Sequence, residues 1–116
     1  MKYMLLLYVP EEVRNDPAAR ASMEEWLRFG AELKASGADL GNNALQGLET
    51  AATVRVRDGE TLVSDGPFAE TKEMLGGYYI VDVADRDAAI RLAADVPCSP
   101  YGTVEIRPVM EPPEAP

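Results

Sequence analysis

Tyr3 to Val9, reading Tyr-Met-Leu-Leu-Leu-Tyr-Val, carries no charged or strongly polar side chain. A strand sends alternate side chains to opposite faces, so a run without polar alternation has to be covered on both sides. The run ends at Pro10, well short of the roughly 20 apolar residues a membrane-spanning helix needs. One lysine precedes it and no small-residue cleavage pattern follows. It therefore reads as a central strand and not as a signal peptide, which implies a cytoplasmic protein. Tyr78–Val83, reading Tyr-Tyr-Ile-Val-Asp-Val, is a second near-continuous run of the same kind. Two such strands imply a covered sheet.

Composition narrows what that sheet can serve. Eleven Lys and Arg stand against twenty Asp and Glu, a net charge of −9, which opposes nucleic acid and anionic membrane as partners because both reward clustered positive charge. Histidine is absent, so His-based acid–base chemistry, Ser-His-Asp triads and His metal sites are excluded. Cys98 is the one cysteine; it forms no internal disulfide, consistent with a reducing compartment. No acid or cysteine cluster has metal-ligand spacing, and no cofactor motif is present. The 116 residues suffice for one core, read as a single domain over 1–110 with a Pro/Glu-rich frayed tail over 111–116.

Between the two apolar runs, Asp16 before Pro17 reads as an N-cap with proline at the first helical position. The helix is expected to continue to about Ser36, with Met23, Trp26, Leu27, Gly30 and Leu33 near one face and Gly37 as its left-handed stop. Trp26 and Phe29 have core-stripe spacing and read as packing, not as a ligand cage. A short irregular strand is expected over Asp39–Leu45. Ala52–Arg57 alternates, Asp58-Gly59 is a hairpin signal, and Glu60–Ser64 returns as its partner. A helical turn is expected over Ala69–Met74. Asp85 caps a helix reaching about Val96, with Ala89, Leu92, Ala93 and Val96 inward. Gly102–Val109 is the last strand, Val104 and Ile106 on one face and Thr103, Glu105 and Arg107 on the other. This order is ferredoxin-like βαββαβ with an inserted hairpin, an α+β fold with two helices on one face of an antiparallel sheet. The other face keeps apolar groups that a small sheet seldom leaves wet, which predicts a homodimer enclosing a space between stacked sheets.

The chemistry concentrates in Ser64–Gly77, reading Ser-Asp-Gly-Pro-Phe-Ala-Glu-Thr-Lys-Glu-Met-Leu-Gly-Gly. Pro67 has no N–H and biases Gly66 away from the helical region, so the segment is a forced bend bearing polar groups. Asp65 reads either as a general base, tuned by Lys72 or Arg55, or as an Asx-type turn residue. Glu70, Thr71 and Lys72 either line a cleft, or Thr71 with Glu73 or Glu70 caps the turn that follows. Phe68 reads as a plug pinning the loop to the core. Arg55, Arg57, Glu105 and Arg107 lie on the polar faces of their strands; if those strands are neighbours, the arginines read either as an anion clamp or as members of cross-strand ion pairs. Tyr78 and Tyr79 point to opposite faces, one into the core and one toward the intersheet space. Gly76-Gly77 precedes a strand and offers no helix N-terminus to a phosphate.

The stretches Met-Lys-Tyr-Met-Leu-Leu-Leu-Tyr, Thr-Val-Arg-Val-Arg-Asp-Gly, Asp-Gly-Pro-Phe-Ala-Glu-Thr-Lys-Glu, Leu-Gly-Gly-Tyr-Tyr-Ile-Val-Asp-Val and Gly-Thr-Val-Glu-Ile-Arg-Pro-Val together resemble the YCII-related family in its DGPF-motif branch, from Met1 to about Val109. The resemblance implies a dimeric α/β-barrel of ferredoxin-like protomers in a small bacterial protein, with an extracytoplasmic-function sigma factor as a candidate partner. In the wider family a His–Asp pair has been proposed as catalytic; here Asp65 leads the motif and no histidine accompanies it. Three readings follow: a small-molecule binding protein with its pocket beside the Asp65–Lys72 loop; a cofactor-free isomerase, lyase or hydrolase with Asp65 as base; and an interaction partner in a sigma-factor-linked stress response.

Overall fold

The computed structural model describes residues 1–112; residues 113–116 of the expected tail lie outside the described residues. The elements run β1 (Lys2–Pro10), α1 (Glu11–Arg14), α2 (Met23–Ala35), β2 (Asp39–Ala44), β3 (Ala52–Arg57), β4 (Glu60–Asp65), β5 (Glu73–Asp82), α3 (Arg86–Asp95) and β6 (Thr103–Pro108). The main sheet is four-stranded in the order β2-β5-β1-β6, antiparallel throughout. The two apolar runs occupy its centre, as their lack of alternation requires. Each helical crossover, β1 to β2 and β5 to β6, skips one strand, which is the split arrangement of ferredoxin-like folds.

Burial divides the sheet into two unequal faces. Tyr3, Leu5, Leu7 and Val9 of β1, with Met74, Tyr79 and Val81 of β5, pack under Phe29 and Leu33 of α2 and Ala89 and Ala93 of α3. Leu5 and Val81 are fully buried, each worth about 1.5–3 kcal/mol over exposure. Phe29 meets the Tyr79 ring edge-on, centroids 5.4 Å apart, the arrangement the ring quadrupoles favour. On the opposite face the register aligns Met4 with Ile80, Leu6 with Tyr78 and Tyr8 with Leu75. No described element covers these side chains, and each is only half-buried.

Four expectations need correction. The long helix does not start at Asp16-Pro17: Asp16 closes a separate turn by accepting from the Ala18 N–H at 3.0 Å, and α2 starts after Ser22, whose Oγ accepts from the Glu25 N–H. With that start the buried stripe is Phe29 and Leu33 beside half-buried Trp26, while Met23 and Leu27 are exposed. No helical turn forms over Ala69–Met74, because β5 begins at Glu73. Gly76-Gly77 lies inside that strand and not before it. The pairing steps from Leu7↔Gly77 to Tyr8↔Leu75, leaving Gly76 as the extra residue of a bulge that flips the buried side from Met74 to Gly77 and Tyr79.

The β3–β4 hairpin forms a two-stranded sheet of its own. Asp58 and Gly59 turn it with φ of +52° and +79°, the left-handed pair a tight hairpin requires. Val54, Val56, Leu62 and Val63 are exposed along it.

Candidate functional site

Around the Asp-Gly-Pro bend, the backbone does the holding. The Gly66 N–H donates to the Ala51 carbonyl at 2.7 Å, the Thr53 hydroxyl donates to the Gly66 carbonyl at 2.8 Å, and Gly66 sits at φ +96°. The Asx-turn reading of Asp65 therefore fails: among the described residues its carboxylate accepts no hydrogen bond, and it lies exposed at the end of β4. Phe68 is 74% exposed and does not plug the core; its ring carries the Arg55 guanidinium 5.0 Å above the centroid. Thr71 donates its hydroxyl to the Glu73 carbonyl. Glu70 and Lys72 are exposed. Arg107 stands on β6 opposite Met4, a strand of the main sheet, whereas Arg55 and Arg57 stand on the separate hairpin. The arginines are thus not on neighbouring strands, and none is within salt-bridge distance of an acid among the described residues. Tyr78 stands on the uncovered sheet face, its hydroxyl accepting from the Asn43 amide at 2.8 Å.

The hollow of the molecule lies elsewhere. A cavity of about 470 Å³ opens between the start of α2 and the helix-bearing face of the sheet, within the roughly 300–1,000 Å³ usual for ligand sites. Leu7 and Val9 supply its floor, Trp26 and Met23 one wall, Cys98 and Tyr101 another, and Arg14 and Arg20 its rim. Asp65, Arg55, Phe68, Glu70, Thr71, Lys72 and Arg107 do not line it; of the tyrosine pair, both Tyr78 and Tyr79 border it. Two close approaches shape it. Gly77 lets β2 lie near, since a Cβ there would come 2.9 Å from the Asn43 carbonyl. Ala21 is tied across the opening by its N–H, which donates to the Tyr101 hydroxyl at 3.0 Å.

The charged groups of this cavity are donors, beside the neutral amides of Asn42 and Asn43. Arg14 gives one N–H to the Leu45 carbonyl and Arg20 gives one to the Arg14 carbonyl at 3.1 Å. Each guanidinium retains further N–H groups. Tyr101 accepts from Ala21 and keeps its own O–H. The Tyr79 hydroxyl has no hydrogen-bond partner among the described residues, although only 8% of the residue is exposed. Burial, then the charges of Asp39 and Cys98, raises the Tyr79 pKa above its ordinary value, so the phenol stays protonated at neutral pH. Cys98 is pushed up to about 11, chiefly by burial, partly offset by a backbone hydrogen bond and helped by the smaller effect of the Glu73 charge. A thiol held that firmly is a packing group and not a nucleophile at neutral pH. Among the described residues no group of three His, Cys, Asp or Glu side chains could hold a metal ion, and no helix is long and apolar enough to cross a membrane.

Sequence patterning read Trp26 as core and passed over Arg14, Arg20 and Tyr101. The available signal was the connection after β1, where the basic residues Arg14 and Arg20 lead into the helix bearing the single tryptophan.

Fold and cavity together define a split-βαβ α+β domain with a ligand-sized hollow between one helix and the sheet. The YCII-related domain matches residues 1–112, and the chain belongs to that family. It is also similar to an uncharacterized protein of Rhizobium meliloti (strain 1021), 51% identical over 61 residues. That match spans 51% of this chain and 49%, about half, of the relative.

Proposed function

We propose that this YCII-related protein binds a small molecule in the Trp26–Tyr101 cavity, as a homodimer in which a second copy covers the open sheet face. The observation that carries the reading is the cavity itself, which has an apolar floor, aromatic walls and a Tyr79 hydroxyl that no described residue hydrogen-bonds. Ligand sites combine these features: burial for affinity and a few fixed polar groups for orientation. A thermal-shift screen against small metabolites tests it, because any ligand that prefers the folded state raises Tm by mass action. A shift in the native protein that disappears in Ala21→Phe, which fills the opening, is the expected result. A screen with no shift overturns it.

A second reading places the ligand beside the Asp65–Lys72 loop, with Asp65 as the general base of an isomerase, lyase or hydrolase. The free carboxylate of Asp65 and the Arg55–Phe68 stack favour it. A thermal shift that survives Ala21→Phe and is lost in Asp65→Asn would move the site there.

A further inference from the structure

The composition of the cavity wall departs from that of the chain. Acids outnumber bases by twenty to eleven in the sequence, yet among the described residues the cavity is lined by Arg14 and Arg20 and by no Asp or Glu. Glu11 and Glu49 do lie near these arginines, across an adjoining shallow polar hollow. Neither reaches salt-bridge distance, and among the described residues neither arginine is ion-paired. The charges of Asp39 and Glu73 act on Tyr79 and Cys98, but neither residue lines the cavity. The rest of the lining is mostly apolar or aromatic, Leu7, Val9, Trp26, Tyr79 and Tyr101 among it, with the neutral amides of Asn42 and Asn43 on the β2 side.

We infer that the ligand is a compact apolar or aromatic carboxylate, its ring or chain against Trp26 and its carboxylate toward Arg14, Arg20 and the tyrosine hydroxyls. The inference rests on the binding reading above and adds the chemical class. Three physical arguments meet in it. Guanidinium N–H groups without carboxylate partners are strong, geometry-matched donors for a carboxylate. The tyrosine O–H groups left free to donate make a stronger bond to an acceptor that carries charge than to a neutral one. An apolar floor of this extent rewards a hydrophobic body and excludes a small polyanion, which would strip its own hydration against Leu7 and Val9 with too few donors to replace it.

The single tryptophan lines the cavity, so its emission reports occupancy directly. Titrations with phenylacetate, neutral phenylacetamide and cationic phenethylamine share one body and vary only the charge. The expected result is that phenylacetate binds about tenfold more tightly than the amide, that the amine binds least, and that the preference shrinks as salt rises. Arg20 is exposed and outside the core, so Arg20→Gln keeps the fold, checked by circular dichroism, and is expected to reduce the acid's advantage while leaving the amide unchanged. Equal binding of acid and amide, or preference for the amine, overturns the ligand class while leaving a small-molecule site. No change in Trp26 emission with any of the three, up to their solubility limits, overturns the class and counts against the cavity as a binding site at all.

Discussion

Two glycines of this chain respond oppositely to the same substitution. A Cβ on Gly102 would lie 2.3 Å from the Tyr8 carbonyl oxygen and 3.1 Å from both the Cys98 carbonyl and Val9. Two of those neighbours are backbone, so strand and loop have to part. Gly102→Ala is expected to destabilise by about 1–3 kcal/mol, read as a lower urea midpoint. Gly30 lies inside α2 and a Cβ there meets nothing within 4 Å. Gly30→Ala is expected to stabilise by about 0.5–1 kcal/mol, because glycine loses the most backbone freedom in a helix. Cys98 gives the residue scale a pH signature. Unfolded, its thiol ionises near 9; folded, it holds its proton to about 11. Between those values only the unfolded state gains by releasing the proton, so the stability is complete below pH 9 and is lost as pH rises toward 11. Tyr79, also raised, adds to the loss at higher pH. Denaturant titrations across this window are expected to show the native protein falling more steeply than Cys98→Ala.

Ser22 and Asp16 separate what the sequence tells from what it hides at the level of elements. Asp16-Pro17 looks like a helix start, yet Ser22, followed three residues later by Glu25, is the cap in use, with Oγ accepting from the Glu25 N–H at 3.2 Å. Both signals obey local rules. The choice between them is made by packing, since starting at Met23 places Phe29 and Leu33 on the sheet. Ser22→Ala is accordingly expected to cost about 1 kcal/mol in urea unfolding, and Asp16→Ala less, since it releases only an exposed turn. The central strands, the Asp58-Gly59 hairpin and the Asp85-capped α3 were legible because each rests on chemistry within a few residues. The Asp85 carboxylate does accept from the Ala88 N–H, at 2.8 Å. The Gly76 bulge was not legible, because an apolar run bounded by glycines looks the same whether the glycines precede the strand or interrupt it. The cavity was hidden for a similar reason. Its rim at Arg14 and Arg20, its wall at Trp26 and its far side at Tyr101 meet only through the β1–α2 and α3–β6 connections. The Asp65 segment, by contrast, has its polar groups adjacent in sequence and spread over the surface in space.

At the scale of the whole molecule, one dimension is short: the principal extents are 53 × 47 × 19 Å. A sheet with a single layer of helices accounts for that thickness, so among the described residues the second sheet face has no covering layer of its own. That face presents Met4, Leu6, Tyr8, Leu75, Tyr78 and Ile80, an apolar surface of the kind monomeric proteins seldom leave in water. A two-fold stack of two such faces is self-complementary by construction, each copy meeting the surface it offers. Charge works against it, since two chains of −9 repel, and a stable pair therefore has to draw on apolar burial. The native protein is expected to elute with a dimer's mass by light scattering at micromolar concentration, and its Tm to rise with protein concentration. Ile80, paired with Met4 at the centre of the face, is the position to challenge. Ile80→Glu adds a carboxylate that both copies would have to bury against each other, so it is expected to give a monomer whose Tm no longer depends on concentration. The helix-side cavity stands on the opposite face of the sheet, and phenylacetate titrated against that monomer should still change Trp26 emission. A native protein that runs as a monomer would remove the stacked arrangement and leave the cavity to be judged alone.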